Sequence, residues 1–268
     1  AFACHPLPSL AVTALTAGLA AEAGTTLIRG TLITLAMLAG QLSIGWCNDA
    51  VDAERDRAVH RTDKPVASGV VSVRATCAAA AIAVVIALSA AAPLGWAAFV
   101  VLGLSVACGW AYDLGLKATR WSWAAYAVAF GAVPAVATLA SSDPRWPAAW
   151  AIAAGALFGV AAHFANVLPD LLDDDATGVR GLPHRLGARR SAVLGPILLV
   201  AASIAILVGP PDHGQAALRG VGLLLTVLAA AWATVAALRD PRSRRYFLAV
   251  IAIAALDVML FALLGTSM

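Results

Sequence analysis

The sequence predicts an all-α integral membrane bundle of nine transmembrane helices with a weak internal repeat. Three observations carry this. The 268 residues are 61% hydrophobic and only 12% charged, with a mean hydropathy of +0.85, whereas an average soluble domain is about 25% charged. That is too little polar sequence to cover a soluble domain of this length. Nine apolar segments recur along the chain, and the basic residues sort between the links that join them. Strands are not expected, because the apolar segments lack alternating polar residues.

The segments, in order, are Leu7–Ala21, Thr31–Cys47, Ser72–Ala92, Trp96–Tyr112, Trp121–Ala140, Trp146–Ala165, Ala192–Gly209, Ala216–Leu238 and Tyr246–Leu264. Most approach the ~20 residues that a helix needs to cross a bilayer. The first is short and closes on Glu22. The second and sixth each end where a strongly polar run begins. The fourth leads through Tyr112 into a short basic link, and the ninth encloses an acid, Asp257. All are rich in Ala and Gly, which suits close helix packing in lipid.

Charge sorting supports the count. The second–third link carries Arg55, Arg57, Arg61, Lys64 and Arg74, and the fourth–fifth carries Lys117 and Arg120. The sixth–seventh carries Arg180, Arg185, Arg189 and Arg190, and the eighth–ninth carries Arg239, Arg242, Arg244 and Arg245. Only Arg29, Arg145 and Arg219 remain of the 18 basic residues for the opposite face. The asymmetry places the basic face in the cytoplasm of a multi-pass protein of the cell membrane. Ala1 in place of Met suggests that residues precede it, and Ala1–Ser9 has no Lys or Arg, so a signal peptide is not expected. Cys4, Cys47, Cys77 and Cys108 lack paired metal-ligand spacing and read as small buried residues without disulfides. Nothing points to nucleic acid.

Both polar runs begin with one spacing. Asn48, Asp52 and Asp56 stand four residues apart, and so do Asn166, Asp170 and Asp174. On a helix such steps stay on nearly one face and advance about 6 Å each. Each triad is expected to present a ladder of oxygens. Pro65 and Pro183 each lie 17 residues after their Asn. This is a weak repeat that divides a single domain, 1–268, into approximate halves 1–118 and 119–268. Both triads fall on the basic face.

Acids crowd around them. Asp49 and Glu54 join the first run, and Asp173 and Asp175 join the second. Such clusters at a low-dielectric edge shift their pKa values or recruit cations. Oxygen-only ligands favour Mg2+ or Ca2+ over zinc, and Mg2+ commonly combines one or two carboxylates with a substrate phosphate. Arg57, Arg61, Lys64, Lys117, Arg120 and Arg180 supply positive charge for that phosphate. A solvated acidic loop is the plain alternative for one run, but two runs in one register weigh against it. Neither run has the EF-hand loop pattern.

The first run, Asn48-Asp-Ala-Val-Asp52-Ala-Glu-Arg-Asp56, resembles the NDxxDxxxD motif of the UbiA superfamily of membrane prenyltransferases. The second run, with the following Gly178-Val-Arg180-Gly-Leu-Pro-His-Arg-Leu-Gly187, resembles that family's second aspartate motif and its Gly-x-Arg-x-Leu segment. Tyr112 to Arg120 resembles its tyrosine- and lysine-bearing loop. The second motif departs in having Pro169 inside it and four acids together. The resemblance covers nearly the whole chain and implies an enzyme that binds an isoprenyl diphosphate through Mg2+. Asn48, Asp52, Asp56, Asp170 and Asp174 would hold the metal and diphosphate, with the four Asp as the catalytic set. Asp49, Arg57, Arg61, Lys64, Tyr112, Lys117, Asn166 and Arg180 would bind substrate. The prenyl group would pass to a small, aromatic acceptor with release of pyrophosphate, the lipid tail lying in the bilayer.

Four other outcomes stay open: the resemblance also allows a membrane terpene cyclase or a lipid-phosphate phosphoribosyltransferase, and outside enzymes stand a cation transporter and a non-catalytic lipid-binding homologue. Trp46, Trp110 and Phe164 read as core or interfacial anchors, with carbocation contact as the alternative. His163 reads as a hydrogen-bonded packing residue. Asp257 is an intramembrane acid for which the sequence names no partner.

Overall fold

The computed structural model describes residues 6–61, 64–171, 174, 178–211, 215–240 and 245–264. Regular structure among them is entirely helical. In chain order the α-helices are α1 (Pro6–Glu22), α2 (Leu27–Val51), α3 (Ala53–Ala58), α4 (Val73–Ala91), α5 (Trp96–Asp113), α6 (Ser122–Leu139), α7 (Ala149–Val167), α8 (Leu182–Leu186), α9 (Ala188–Val208), α10 (Ala216–Arg239) and α11 (Arg245–Leu264). Short 3-10 turns cover Ala92–Leu94, Leu116–Ala118 and Leu168–Asp170.

Seven of the described helical stretches are long and apolar enough to cross a membrane: Leu27–Val51, Val73–Leu94, Trp96–Asp113, Ser122–Leu139, Ala149–Asp170, Ala188–Val208 and Ala216–Arg239. The sequence led to an expectation of nine. The two remaining apolar segments are also helical. The α1 helix has 17 residues, at the short limit for a span. The α11 helix has 20 residues and carries the buried acid Asp257.

Local sequence explains where these helices start and stop. Thr26 caps α2 by accepting the Arg29 N–H, and Ser72 caps α4 by accepting the Ala75 N–H, as hydroxyl N-caps do. Ala-rich interiors favour the helical state, and Pro93 falls in the turn that ends α4. The faces follow an inverted pattern. On α4, Ala80, Ala83, Ala87 and Ala91 are buried while Ile82, Val85 and Ile86 are exposed. On α10, Ala230, Ala233 and Ala237 are buried while Leu224, Leu228 and Trp232 are exposed. Small residues let backbones approach, and large apolar ones face what would be lipid.

The chain forms two compact units, Ala1–Leu116 with Val136–Arg145, and Lys117–Ala135 with Trp146–Met268. The boundary inside α6 falls beside Pro134. In the first unit, α2 packs against α1, α4 and α5. In the second, α7 packs against α9 and α11, and α10 packs against α9 and α11. Its core includes Ala161, Ala165, Leu199, Ala233, Tyr246 and Ile253. Gly155 brings α7 onto the α6 backbone, since a Cβ there would lie 2.6 Å from the Phe130 carbonyl oxygen. Each acidic motif begins at the C-terminal end of a long apolar helix, α2 or α7. Among the cysteines, Cys47 is buried as expected, but Cys77 is exposed on α4; Cys4 lies outside the described residues.

Candidate active site

In the first unit, Asp52 sits at the joint between α2 and α3. Its N–H donates to the Asn48 carbonyl at 2.9 Å, and the Asp56 N–H donates to the Asp52 carbonyl at 2.8 Å. The helical step therefore continues through the joint, and the expected ladder forms. Asp49, Asp52 and Asp56 are only 2%, 4% and 5% exposed. Buried carboxylates need compensating charge or hydrogen bonds, and the structure supplies both. The Lys64 Nζ lies 3.1 Å from Asp49 Oδ1 and 3.1 Å from Asp56 Oδ2. Arg55 Nη2 donates to Asp52 Oδ2 at 2.8 Å. Burial opposes the charge on Lys64, but Asp49 and Asp56 outweigh it and hold its pKa above the ordinary 10.5.

The Asn48 amide joins two carboxylates. Its Nδ2 donates to Asp52 Oδ2 at 3.1 Å and to Asp113 Oδ1 at 3.0 Å. Asp113, buried at the end of α5, is a fourth buried acid beside this motif that the sequence reading missed. The signal was present: it follows Tyr112 in the loop already singled out. Arg55 was likewise counted only for topology. Arg57 donates to the carbonyls of Ala67 and Val66 at 3.2 and 3.4 Å, so it braces the link that carries Lys64. The Arg61 N–H donates to the Asp56 carbonyl at 2.9 Å. Tyr112 is half-buried in the last turn of α5.

In the second unit the helix changes form within the motif. The α7 helix closes at Val167 and tightens into the 3-10 turn Leu168–Asp170. Pro169 has no N–H to continue an α-helical ladder. Asn166 is exposed and donates Nδ2–H to the Tyr126 hydroxyl at 3.3 Å. Asp170 and Asp174 are half-buried, and His184 Nε2 lies 3.4 Å from Asp174 Oδ2. Asp173 and Asp175 lie outside the described residues. Lys117 is 8% exposed in the turn Leu116–Ala118, and Arg180 is exposed with its carbonyl accepting Arg185 Nε–H at 3.1 Å.

The secondary candidates take structural positions. Trp46 packs against Ala53 and Val66. Trp110 donates Nε1–H to Ser43 Oγ at 3.3 Å, and Phe164 is fully buried. His163 is fully buried and pairs with Ser122. Asp257 has the partner that sequence could not name: the Ser203 hydroxyl donates to its Oδ2 at 2.7 Å.

By donor type, the buried carboxylates with Asn48 suit a hard divalent cation. Among the described residues, no three acidic, His or Cys side chains converge as a preformed metal centre would. The basic groups beside them suit phosphate oxygens.

Helices with lipid-like outer faces, each motif set at a helix end, define a multi-helix membrane protein equipped to handle cations and anionic groups. The profile of the UbiA prenyltransferase family matches residues 9–264, and the chain belongs to that family. Solved structures share the fold. A UbiA homologue from Aeropyrum pernix K1 in its apo form superposes with a TM-score of 0.77 at 19% identity, over 94% of this chain and 97% of that one. A UbiA homologue from Archaeoglobus fulgidus bound to GPP and Mg2+ gives 0.71 at 16% identity, over 95% and 94%. A structure of digeranylgeranylglyceryl phosphate synthase gives 0.68 at 16% identity, over 96% and 92%. No curated protein matches the sequence.

Proposed function

We propose that this protein is a Mg2+-dependent intramembrane prenyltransferase that moves an isoprenyl group from an isoprenyl diphosphate to a small aromatic acceptor. The observation that carries the reading is the set of buried carboxylates at the end of α2, matched by cationic side chains. Family membership supports the reaction class, and the Archaeoglobus fulgidus homologue bound to GPP and Mg2+ supports donor and metal.

Asn48, Asp52, Asp56, Asp170 and Asp174 are the residues that would hold the metal. Bound Mg2+ would draw charge from the diphosphate and make it a better leaving group. Tyr112 and Asn166 would orient the donor head group, and Asp49 supports the substrate-binding set by holding Lys64. Arg57, Arg61, Lys64, Lys117 and Arg180 receive the negative charge that develops on the leaving pyrophosphate. The allylic C–O bond breaks with its electron pair going to the diphosphate. The acceptor's nucleophilic atom then bonds to the allylic carbon and gives up a proton. Nine spans, with both motifs on the cytoplasmic face, fit the charge sorting, and the prenyl tail lies in the bilayer.

The test is pyrophosphate release from geranyl or dimethylallyl diphosphate by purified protein, with product mass measured against an acceptor panel. Asp52→Asn and Asp174→Asn should each lower turnover roughly 10²-fold or more while melting temperature stays near that of the wild type. Full turnover of both variants in chelator would sink the mechanism. Products formed without acceptor would identify a cyclase instead.

A further inference from the structure

Ser122 is the first residue of α6, has no exposed surface, and is not part of either motif. Its Oγ accepts the Leu182 N–H at 2.9 Å and lies 3.0 Å from His163 Nε2. A hydroxyl has one proton and two lone pairs. With one lone pair serving Leu182, its proton can serve the His163 Nε2 lone pair.

The Leu182 amide opens α8, where the first N–H groups lack intrahelical partners. An N-cap side chain normally satisfies such a group. The N-cap of α8 is Gly181, which has no side chain to do so. The reason for glycine is close packing. A Cβ at Gly181 would lie 2.6 Å from the Lys117 carbonyl oxygen and 2.8 Å from Ser122 Oγ. The strap Gly178–Gly187 thus seats against the Lys117 turn, and Ser122 from α6 supplies the missing cap.

The hydroxyl ties α7 to the strap, which carries Arg180 and His184. The Lys117 backbone carbonyl packs close to Gly181, so the strap and the Lys117 turn are in register. His163 stands one turn before Asn166 on α7 and packs at a tilt against Tyr126, ring centroids 5.0 Å apart, and Tyr126 in turn accepts from Asn166. Arg180 is two residues from Leu182. His184, on α8, approaches Asp174. We propose that Ser122 is a positioning residue for the donor diphosphate, acting with His163 through the strap to set Arg180 and Lys117. This rests on the prenyltransferase reading, since the diphosphate is the ligand being positioned.

Hydrogen exchange of the 178–187 amides, in protein without metal or donor, tests the latch independently of activity. Ser122→Ala should speed exchange there, and Ser122→Thr should stay near wild type because it keeps the hydroxyl. His163→Gln, which retains a polar group near Nε2, should exchange more slowly than His163→Ala. In steady state with geranyl diphosphate and Mg2+, Ser122→Ala should raise donor KM about tenfold, the scale of one lost buried hydrogen bond, with a smaller change in kcat. In an Arg180→Ala background that effect should vanish. Unchanged exchange in Ser122→Ala, or KM effects of Ser122→Ala and Arg180→Ala that simply multiply, would overturn the proposal. Failure of the prenyltransferase reading shows in the wild type alone, as absence of both donor binding and pyrophosphate release, and takes this proposal with it.

Discussion

Asp52 Oδ2 receives both Asn48 and Arg55, while Lys64 serves Asp49 and Asp56 together. The first motif is therefore held in place by its own neighbours. Lys64→Met should lower the melting temperature markedly at pH 8, because removing one partner of a buried ion cluster costs about 3–5 kcal/mol. The pH dependence has a definite sign. The folded pKa of Lys64 is raised above 10.5, so its stabilisation is full below 10.5 and is lost as pH climbs through the folded value. A melting series from pH 9 to 12 should show a steeper alkaline decline in the wild type than in Lys64→Met. Asp113→Ala removes one of the two acceptors of the Asn48 amide. It should weaken Mg2+-dependent turnover roughly 10–100-fold, seen as a higher Mg2+ requirement.

At the scale of elements, Asn48, Asp52 and Asp56 keep α-helical steps through a joint, whereas the second triad runs into a 3-10 turn at Pro169. Equal spacing in sequence therefore gives unequal local geometry, because one proline lacks a donor. The apolar helices obey a different rule, with small residues inward and large ones outward. Ala83→Leu on α4 should destabilise by about 1–3 kcal/mol through overpacking. Val85→Leu, on the exposed face of the same helix, should leave thermal stability nearly unchanged in detergent. Equal losses from both would contradict the inward small-residue face.

For the whole molecule, the three basic residues that break the charge sorting are informative. Arg29 donates Nε–H to the Ala140 carbonyl and Nη2–H to the Leu94 carbonyl, each at 2.7 Å. Arg219 donates to the Leu207 carbonyl. These carbonyls lie at helix C-terminal ends, where acceptors lack intrahelical donors. Two of the three exceptions are thus helix-end caps, and the proposed orientation rests on the remaining charge sorting. In a cysteine-free background, single cysteines replacing Ala118 and Asp143 should label oppositely with an impermeant thiol reagent. In right-side-out vesicles Asp143→Cys should react and Ala118→Cys should not. The reverse result would invert the proposed topology.

By itself the sequence determined the helical membrane class, the place of the motif helices, the register of the first motif and the family's signature. All of these rest on local spacing, composition or charge counts, which a linear chain carries directly. It did not determine the number of spans: nine apolar segments are all helical, yet seven meet the length and apolarity of a crossing helix among the described residues. Only the tertiary structure decided that Asp113 belongs to Asn48, 65 residues away, that His163 pairs with Ser122, 41 residues away, and that Asp257 pairs with Ser203 across 54. Polar side chains in an apolar interior must find partners wherever packing brings them, and that packing is set by many small residues, no one of which names its neighbour.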